Sequence, residues 1–311
     1  MTTIDLGTPP VAALPLLDGL PRRVALTLPE LQHCAVAAGG APLPFLLGGP
    51  AAGDAPADLL ADRLGAQRAD TDVQAYVDAL ASLHDPAGTL ARRGLLGEDG
   101  VDPGVLGAIG LLAAPRIGID LDVVAGGVRA KAWHRQAGGA VATLATTDGI
   151  VFDLAWFPSE GWADELGRVA VLPEDVTLAP SSVPECVDLP YELVDAAGEA
   201  LRTHRADVLP ALVAQHLGAV HDQDGRALGE GEVLTVVQAL HTETQGRVRA
   251  MLADIAAEAT TVGVVSWLLL ADGWHQLRPH RDGDTHRVEV RRVDPGDFPT
   301  ALAPVLAEVT A

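Results

Sequence analysis

The sequence predicts an α+β fold in which one order of helices and antiparallel strands occurs twice. Three observations carry that expectation. Four short stretches of alternating apolar residues between 117 and 154 are separated by Gly-Gly, Gly-Gly and Asp-Gly pairs, so successive strands must be antiparallel neighbours. Stretches with apolar residues at helical spacing flank them on both sides. A second strand, helix, helices, strands, helix series then follows between about 185 and 309. A period close to half the chain points to a pseudo-two-fold molecule and away from a solenoid.

Residues 1–21 contain Pro9, Pro10, Pro15 and Pro21 with little periodicity, and read as an N-terminal extension. Val24-Ala25-Leu26 reads as a short strand. Thr27 with Glu30 three residues later forms a capping box, and Pro29 falls in the first helical turn, where its missing N–H costs nothing. That helix should stop at Gly39-Gly40. Residues 40–70 are rich in Pro, Gly and Ala and take no assignment. Val73, Tyr76, Val77, Leu80 and Leu83 share one face of an amphipathic helix. Gly and Asp near 94–104 mark a loop. Val105, Leu106, Ile109 and Leu112 make a shorter helix ending before Pro115.

The period then changes. Ile117, Ile119, Leu121 and Val123 alternate with Gly118, Asp120 and Asp122, the pattern of a half-buried strand. Gly126-Gly127 turns the chain into Val128–Arg135, where Ala130 and Ala132 lie opposite Arg129, Lys131 and Trp133. Val141–Thr146 is a third strand. Asp148-Gly149 reads as a two-residue hairpin turn into a fourth strand at Ile150, Phe152 and Leu154. A helix from Ser159 to Val171 closes the first half.

In the second half V-D-L-P-Y-E-L at 187–193 echoes L-T-L-P-E-L at 26–31, with Asp188 in the capping role and Pro190 in the place of Pro29. Val208, Leu212, Val213 and Leu217 have helical spacing, and D-Q-D-G at 222–225 is a turn. Helical spacing resumes with Val233, Val237 and Leu240, then with Val248, Met251, Leu252 and Ile255. Strands are expected at Val262–Ala271, Trp274–Pro279 and Thr285–Arg292, with Asp272-Gly273 as a type I′ turn. Leu302, Val305, Leu306 and Val309 mark a last helix, which Pro304 should kink or delay. The expected plan is an extension (1–21) and one domain of two quasi-repeats, 22–172 and 185–311, joined by a linker at 173–184.

With 311 residues, 48% hydrophobic and 20% charged, the chain can bury a sizeable core. A formal net charge of -21 repels phosphate backbones and anionic lipid, which argues against nucleic-acid and membrane partners. The start of the chain lacks the basic region of a signal peptide, and no apolar run reaches the ~18 residues of a membrane helix. Cys34 and Cys186, with no C-x-x-C, read as buried thiols in a reducing compartment. A cytoplasmic location follows as an expectation.

Signs of chemistry are sparse. Residues 267–286 hold His275, His280 and His286 on or beside strands, but a zinc site needs three or four converging ligands and no Cys is near. His280-x-x-x-Asp284 imitates an acyl-transfer motif by two residues only. Asp222-x-Asp224-Gly225 is too short for an EF-hand loop. Gly48-Gly49 and Gly126-Gly127 lack the lysine of a phosphate loop, and neither G-x-S-x-G nor H-E-x-x-H occurs. The expected sets of catalytic, metal-binding and cofactor-binding residues are therefore empty. Two other readings stand beside this one: a small-molecule hydrolase or transferase built on His275, His280 and Asp284, and a homo-oligomeric scaffold.

V-A-L-T-L-P-E-L near the start, L-L-A-A-P-R-I-G-I-D-L-D-V-V at 111–124, and G-V-V-S-W-L-L-L-A-D-G near the end resemble the EspG family of ESX (type VII) secretion-associated proteins of actinobacteria. Two further strands, a D-P-G-D turn and L-x-x-V-L-A-E-V extend the resemblance, which covers 22–172 and 185–309. It implies a central antiparallel β-sheet flanked by two helical bundles about a quasi-two-fold axis. It implies a cytosolic chaperone, without ATP, metal or catalytic residues, that binds the helical tip of PE–PPE heterodimers, keeps them soluble and directs them to secretion. Covering such a tip needs an apolar patch with a polar rim. The expected partner-binding residues are Trp133 with Arg129 and Lys131, the Gly126-Gly127 turn, and Trp274 with Leu277, because aromatics beside basic residues make good anchors. The expected oligomeric state is a monomer or weak homodimer.

Overall fold

The computed structural model describes residues 22–45, 85–174, 176–257 and 261–310. The expected extension and the helix through Val73–Leu83 lie outside the described residues. The described elements are β1 (Arg22–Thr27), α1 (Leu28–Ala37), α2 (Pro86–Arg92), β2 (Leu96–Gly97), β3 (Gly100–Val101), α3 (Pro103–Ala113), β4 (Ile117–Ala125), β5 (Val128–Ala137), β6 (Ala140–Thr146), β7 (Val151–Pro158) and α4 (Trp162–Gly167). They continue with β8 (Cys186–Pro190), α5 (Tyr191–Arg202), α6 (Leu209–Gln215), β9 (His221–Asp222), α7 (Glu230–Thr242), β10 (Gly246–Asp254), β11 (Val262–Leu270), β12 (Gly273–Asp282), β13 (Thr285–Arg292) and α8 (Phe298–Val309). The fold is α+β, with a large antiparallel sheet and helices packed on it. Two compact units are distinguished: described residues up to Arg116 with Trp133–Trp162, and Ile117–Ala132 with Ala163 onward.

In the first unit the strand order is β1-β7-β6-β5. β1 pairs with β7 from Arg22↔Trp156 to Thr27↔Val151. The capping box that starts α1 is present: Thr27 N–H donates to Glu30 Oε2 at 2.9 Å and Glu30 N–H to Thr27 Oγ1 at 3.4 Å. Gly39 and Gly40, at φ 81° and 77°, end the helix in a left-handed conformation that a Cβ would strain. Asp102 caps α3 by accepting from the N–H groups of Gly104 and Val105. Leu26, Leu31, Val105, Ile109, Leu144 and Leu154 are fully buried and form the core of this unit.

In the second unit the order is β4-β10-β11-β12-β13-β8-β9. β4 pairs with β10 from Arg247↔Val124 to Asp254↔Ile117, which explains why β4 clusters here and not with the first unit. Helices α5, α6 and α7 bury Val187, Leu193, Val213, Val233, Leu270 and Val290 between themselves and the sheet. On α8, Phe298 meets Trp267 of β11 edge-on at 5.0 Å. Val305 of the same helix lies over Gly263, where a Cβ would collide with it.

The internal repeat is visible in the topology. The series β1-β7-β6-β5-β4 has the same connections as β8-β13-β12-β11-β10, each a strand, helices and a four-strand meander.

Several local expectations change. Gly246–Asp254 is a strand, with Val248, Ala250 and Leu252 buried and Arg247 and Met251 exposed. Val248, Met251, Leu252 and Ile255 have helical spacing, but the strand divides them between its faces. Val248 and Leu252 point inward, as Ala250 does, and Met251 points outward; ladders on both sides decide for the strand. The Asp148-Gly149 turn is a longer loop, in which Asp148 accepts from Ile150 and Val151 N–H at 2.8 and 3.0 Å. At the next Asp-Gly the turn residues are Ala271 and Asp272, and only Gly273 has positive φ, 128°. That is a turn followed by a bulge glycine, not type I′. Asp188 does not cap α5: the cap is Pro190, and Asp188 lies in β8. The glycine- and Asp-marked loop at 94–104 contains the β2–β3 ribbon. α4 ends at Gly167, four residues short of Val171. α8 runs through Pro304 from its start at Phe298.

Candidate partner interface

One face of β4, β10 and β11 in the second unit is open. Along β10 the buried residues alternate with Arg247, Arg249, Met251 and Ala253, which point to this face. Register places Met251 directly opposite Val264 on β11 and Ala253 opposite Val262. Met251, Val262 and Val264 are 41%, 56% and 43% exposed, and Ile255, just beyond the strand, is 47% exposed. Four large apolar side chains left in solvent on one hairpin are an exception to ordinary surface composition.

Beside this apolar strip lies a charged one. Arg129 Nη2 donates to Asp122 Oδ2 at 3.0 Å, and Arg247 approaches the same oxygen at 3.7 Å. Arg249 is in register with Asp122. Lys131 is exposed and shares a strand face with Arg129. The turn that the sequence predicts at Gly126-Gly127 is present, with the positive φ of 56° and 78° at both residues that a type I′ turn needs, and brings Arg129 back beside Asp122.

The expected aromatic anchors are elsewhere. Trp133 is buried in the core of the first unit, with its ring 5.6 Å from Phe45. Trp274 is 1% exposed, its indole N–H donates to Ala170 O at 2.7 Å, and its ring lies 6.3 Å from Trp267. Both are core side chains, so neither presents a free surface to a partner. Leu277 is half-buried against the helices of the second unit. Arg129, Lys131 and the Gly126-Gly127 turn are exposed.

The histidine set is taken apart. His275 is fully buried, with Nε2 2.9 Å from Asp272 Oδ1. His280 lies five residues along the same strand, about 17 Å away and on the other face. Its Nε2 is 2.9 Å from Asp188 Oδ1, while Arg287 donates to Asp188 Oδ2 at 2.7 Å and to Ala219 O at 2.8 Å. His280 and Asp284 line an open cleft of 560 Å³ with Tyr191, Glu192 and His286, and His275 does not reach it. The three residues of the hydrolase reading therefore do not form one site. Among the described residues, no group of three or more His, Cys, Asp or Glu side chains is placed to hold a metal ion.

No family model matches the chain, and no curated protein matches it in sequence. A solved structure does: that of the Mycobacterium tuberculosis type VII secretion system chaperone EspG5 in complex with PE25-PPE41 dimer. The match covers 93% of this chain and 97% of that chain, with a TM-score of 0.58 and 12% sequence identity. The chain has the EspG5 fold.

At that identity the EspG5 likeness describes backbone arrangement, and the side chains must be argued from this chain alone. Within the EspG5 fold the open face on β4, β10 and β11 is what sequence reasoning misses. Reading 246–254 as a strand supplies the signal, because it puts Met251 in line with Arg247 and Arg249. Both cysteines are buried, and desolvation pushes the Cys34 thiol up to about 11 and the Cys186 thiol above its ordinary value, so neither is poised as a nucleophile. Among the described residues no helix is long and apolar enough to cross a membrane.

Proposed function

We propose that this chain is a cytoplasmic chaperone or adaptor of a type VII (ESX) secretion system. It holds the helical tip of a PE–PPE-like heterodimer, keeps the pair soluble and directs it to the machinery. The observation that carries this reading is the EspG5 fold over nearly the whole length, since EspG5 is a chaperone solved with a PE25-PPE41 dimer. The open strip of Met251, Val262 and Val264, with Arg129, Lys131 and Arg249 beside it, supports it physically. An apolar patch with a polar rim holds a partner without any reaction.

The test is co-expression with PE–PPE-like pairs encoded near the gene. The expected result is a stable three-chain complex that survives size-exclusion chromatography and is lost with Met251→Asp at unchanged melting temperature. If every such pair stays insoluble and none co-purifies, the chaperone reading is wrong. Concentration-dependent light scattering of the chain alone, with no heterodimer bound, would instead favour a homo-oligomeric scaffold.

A further inference from the structure

The open face has a charge pattern at odds with the rest of the chain. The formal net charge is -21. Yet Arg129, Lys131, Arg247 and Arg249 gather here around Asp122 and Asp120. Both arginines that touch Asp122 keep about half of their side-chain surface in solvent, at 59% and 47%. Met251 is in register with Val264 on β11 and Asp120 on β4, and Arg249 is the next residue on the same face of β10, so the apolar strip meets the cationic one at Arg249.

We infer that the segment seated on β4, β10 and β11 is apolar at its apex and acidic along one flank. The apex lies on Met251 and Val264, and the acidic flank meets Arg129, Lys131 and Arg249. This rests on the chaperone reading and deepens it, since it fixes the chemistry of the cargo tip. A second copy of the chain in a two-fold contact would set this cationic strip against itself, which opposes self-pairing through the face. An acidic flank is repelled by the net charge of the chain and attracted by this strip. The patch therefore selects orientation as well as partner.

The test uses the full chain and two labelled helical-hairpin peptides with the same Leu/Phe apex. One carries Glu and Asp flanks, the other Lys and Arg flanks. Fluorescence anisotropy should show the acidic-flanked peptide binding at least about tenfold tighter at low salt. That affinity should fall as salt rises, the reverse of what net charge alone dictates. Arg249→Glu combined with Lys131→Glu should reverse the order of the two peptides. If that double variant melts early, Arg249→Gln alone should still narrow the gap. Equal affinities, a preference for the basic-flanked peptide, binding of neither, or no response to these substitutions would overturn the inference. A charge-reversed chain that captures a PE–PPE-like pair as well as the wild-type chain does would overturn it while leaving the chaperone reading intact.

Discussion

Inside the first unit, the indole N–H of Trp162 donates to Nδ1 of His134 at 3.0 Å, with both side chains buried. Accepting that bond requires a neutral imidazole with its proton on Nε2. Burial is the largest cause that pushes the His134 pKa down to about 3, and the charges of Arg135 and Arg23 add to it.

The pH dependence follows from that depressed value. Between about pH 6.5 and 3 the unfolded chain binds a proton at His134 that the folded chain refuses. The contribution is complete above pH 6.5 and is lost as pH falls, by up to about 1.4 kcal/mol per unit. Urea midpoints at pH 7.5, 6.5, 5.5 and 4.5 should fall in that order. His134→Asn should flatten the slope between 6.5 and 4.5, a window above the range in which Glu30 and Asp148, both held below ordinary carboxylate values, titrate. A wild-type midpoint that holds constant down to pH 4.5 would contradict the buried neutral histidine.

Trp133 is a stability residue. Trp133→Ala removes a buried ring from against Phe45 and should cost about 3–5 kcal/mol. Denaturant unfolding measures it. A variant of wild-type stability would mean that the ring is not in the core.

The docking of α8 depends on a missing methyl group. Gly263→Ala puts a Cβ into Val305 and should destabilise by about 1–3 kcal/mol. Val305→Ala should recover most of that loss, because the obstacle is a side chain, and a double-mutant cycle reads the coupling. Gly246→Ala is the contrast. Its Cβ meets the backbone carbonyl of Val124, so no single truncation should rescue it.

Asp188 balances a buried cation. Arg287, whose side chain is only 6% exposed, donates to the Asp188 carboxylate and backbone. Asp188→Ala should cost about 2–3 kcal/mol by leaving the guanidinium with no carboxylate, only the carbonyls of Asp188 and Ala219 and the His221 ring nitrogen. Asp188→Asn should cost less, since its amide oxygen still accepts. Thermal melting of both variants tests the order.

Legibility in the sequence tracked how local each cause is. The box at Thr27 and Glu30 and the paired glycines at 126–127 are decided within a few residues, and their outcome was readable. So was the repeat of elements, because it needs only the order of periods. β10 was not readable, because Val248, Met251, Leu252 and Ile255 fit one face of a helix, whereas the strand divides them between its two faces. The ladders to β4 and β11 that settle it come from residues far along the chain. The candidate interface divided the same way. Alternation correctly sets Arg129, Lys131 and Trp133 on one side of β5, but that side passes from solvent to core along its 10 residues. Helix coverage decides where it changes, and helix coverage is a tertiary fact. Asp188 looked like a cap by analogy with Thr27, yet its carboxylate answers to Arg287, 99 positions away.

The ladder between β4 and β10 has a consequence for how such a molecule could arise. It is the seam where the two meanders meet, and it is antiparallel from Arg247↔Val124 to Asp254↔Ile117. A polypeptide made of the later half alone would bare β10 as an open edge, with a row of unanswered amides and carbonyls. The equivalent strand of a twin fragment, running the opposite way, would close that row. A gene duplication joining two such fragments end to end converts an association that depends on concentration into one that does not.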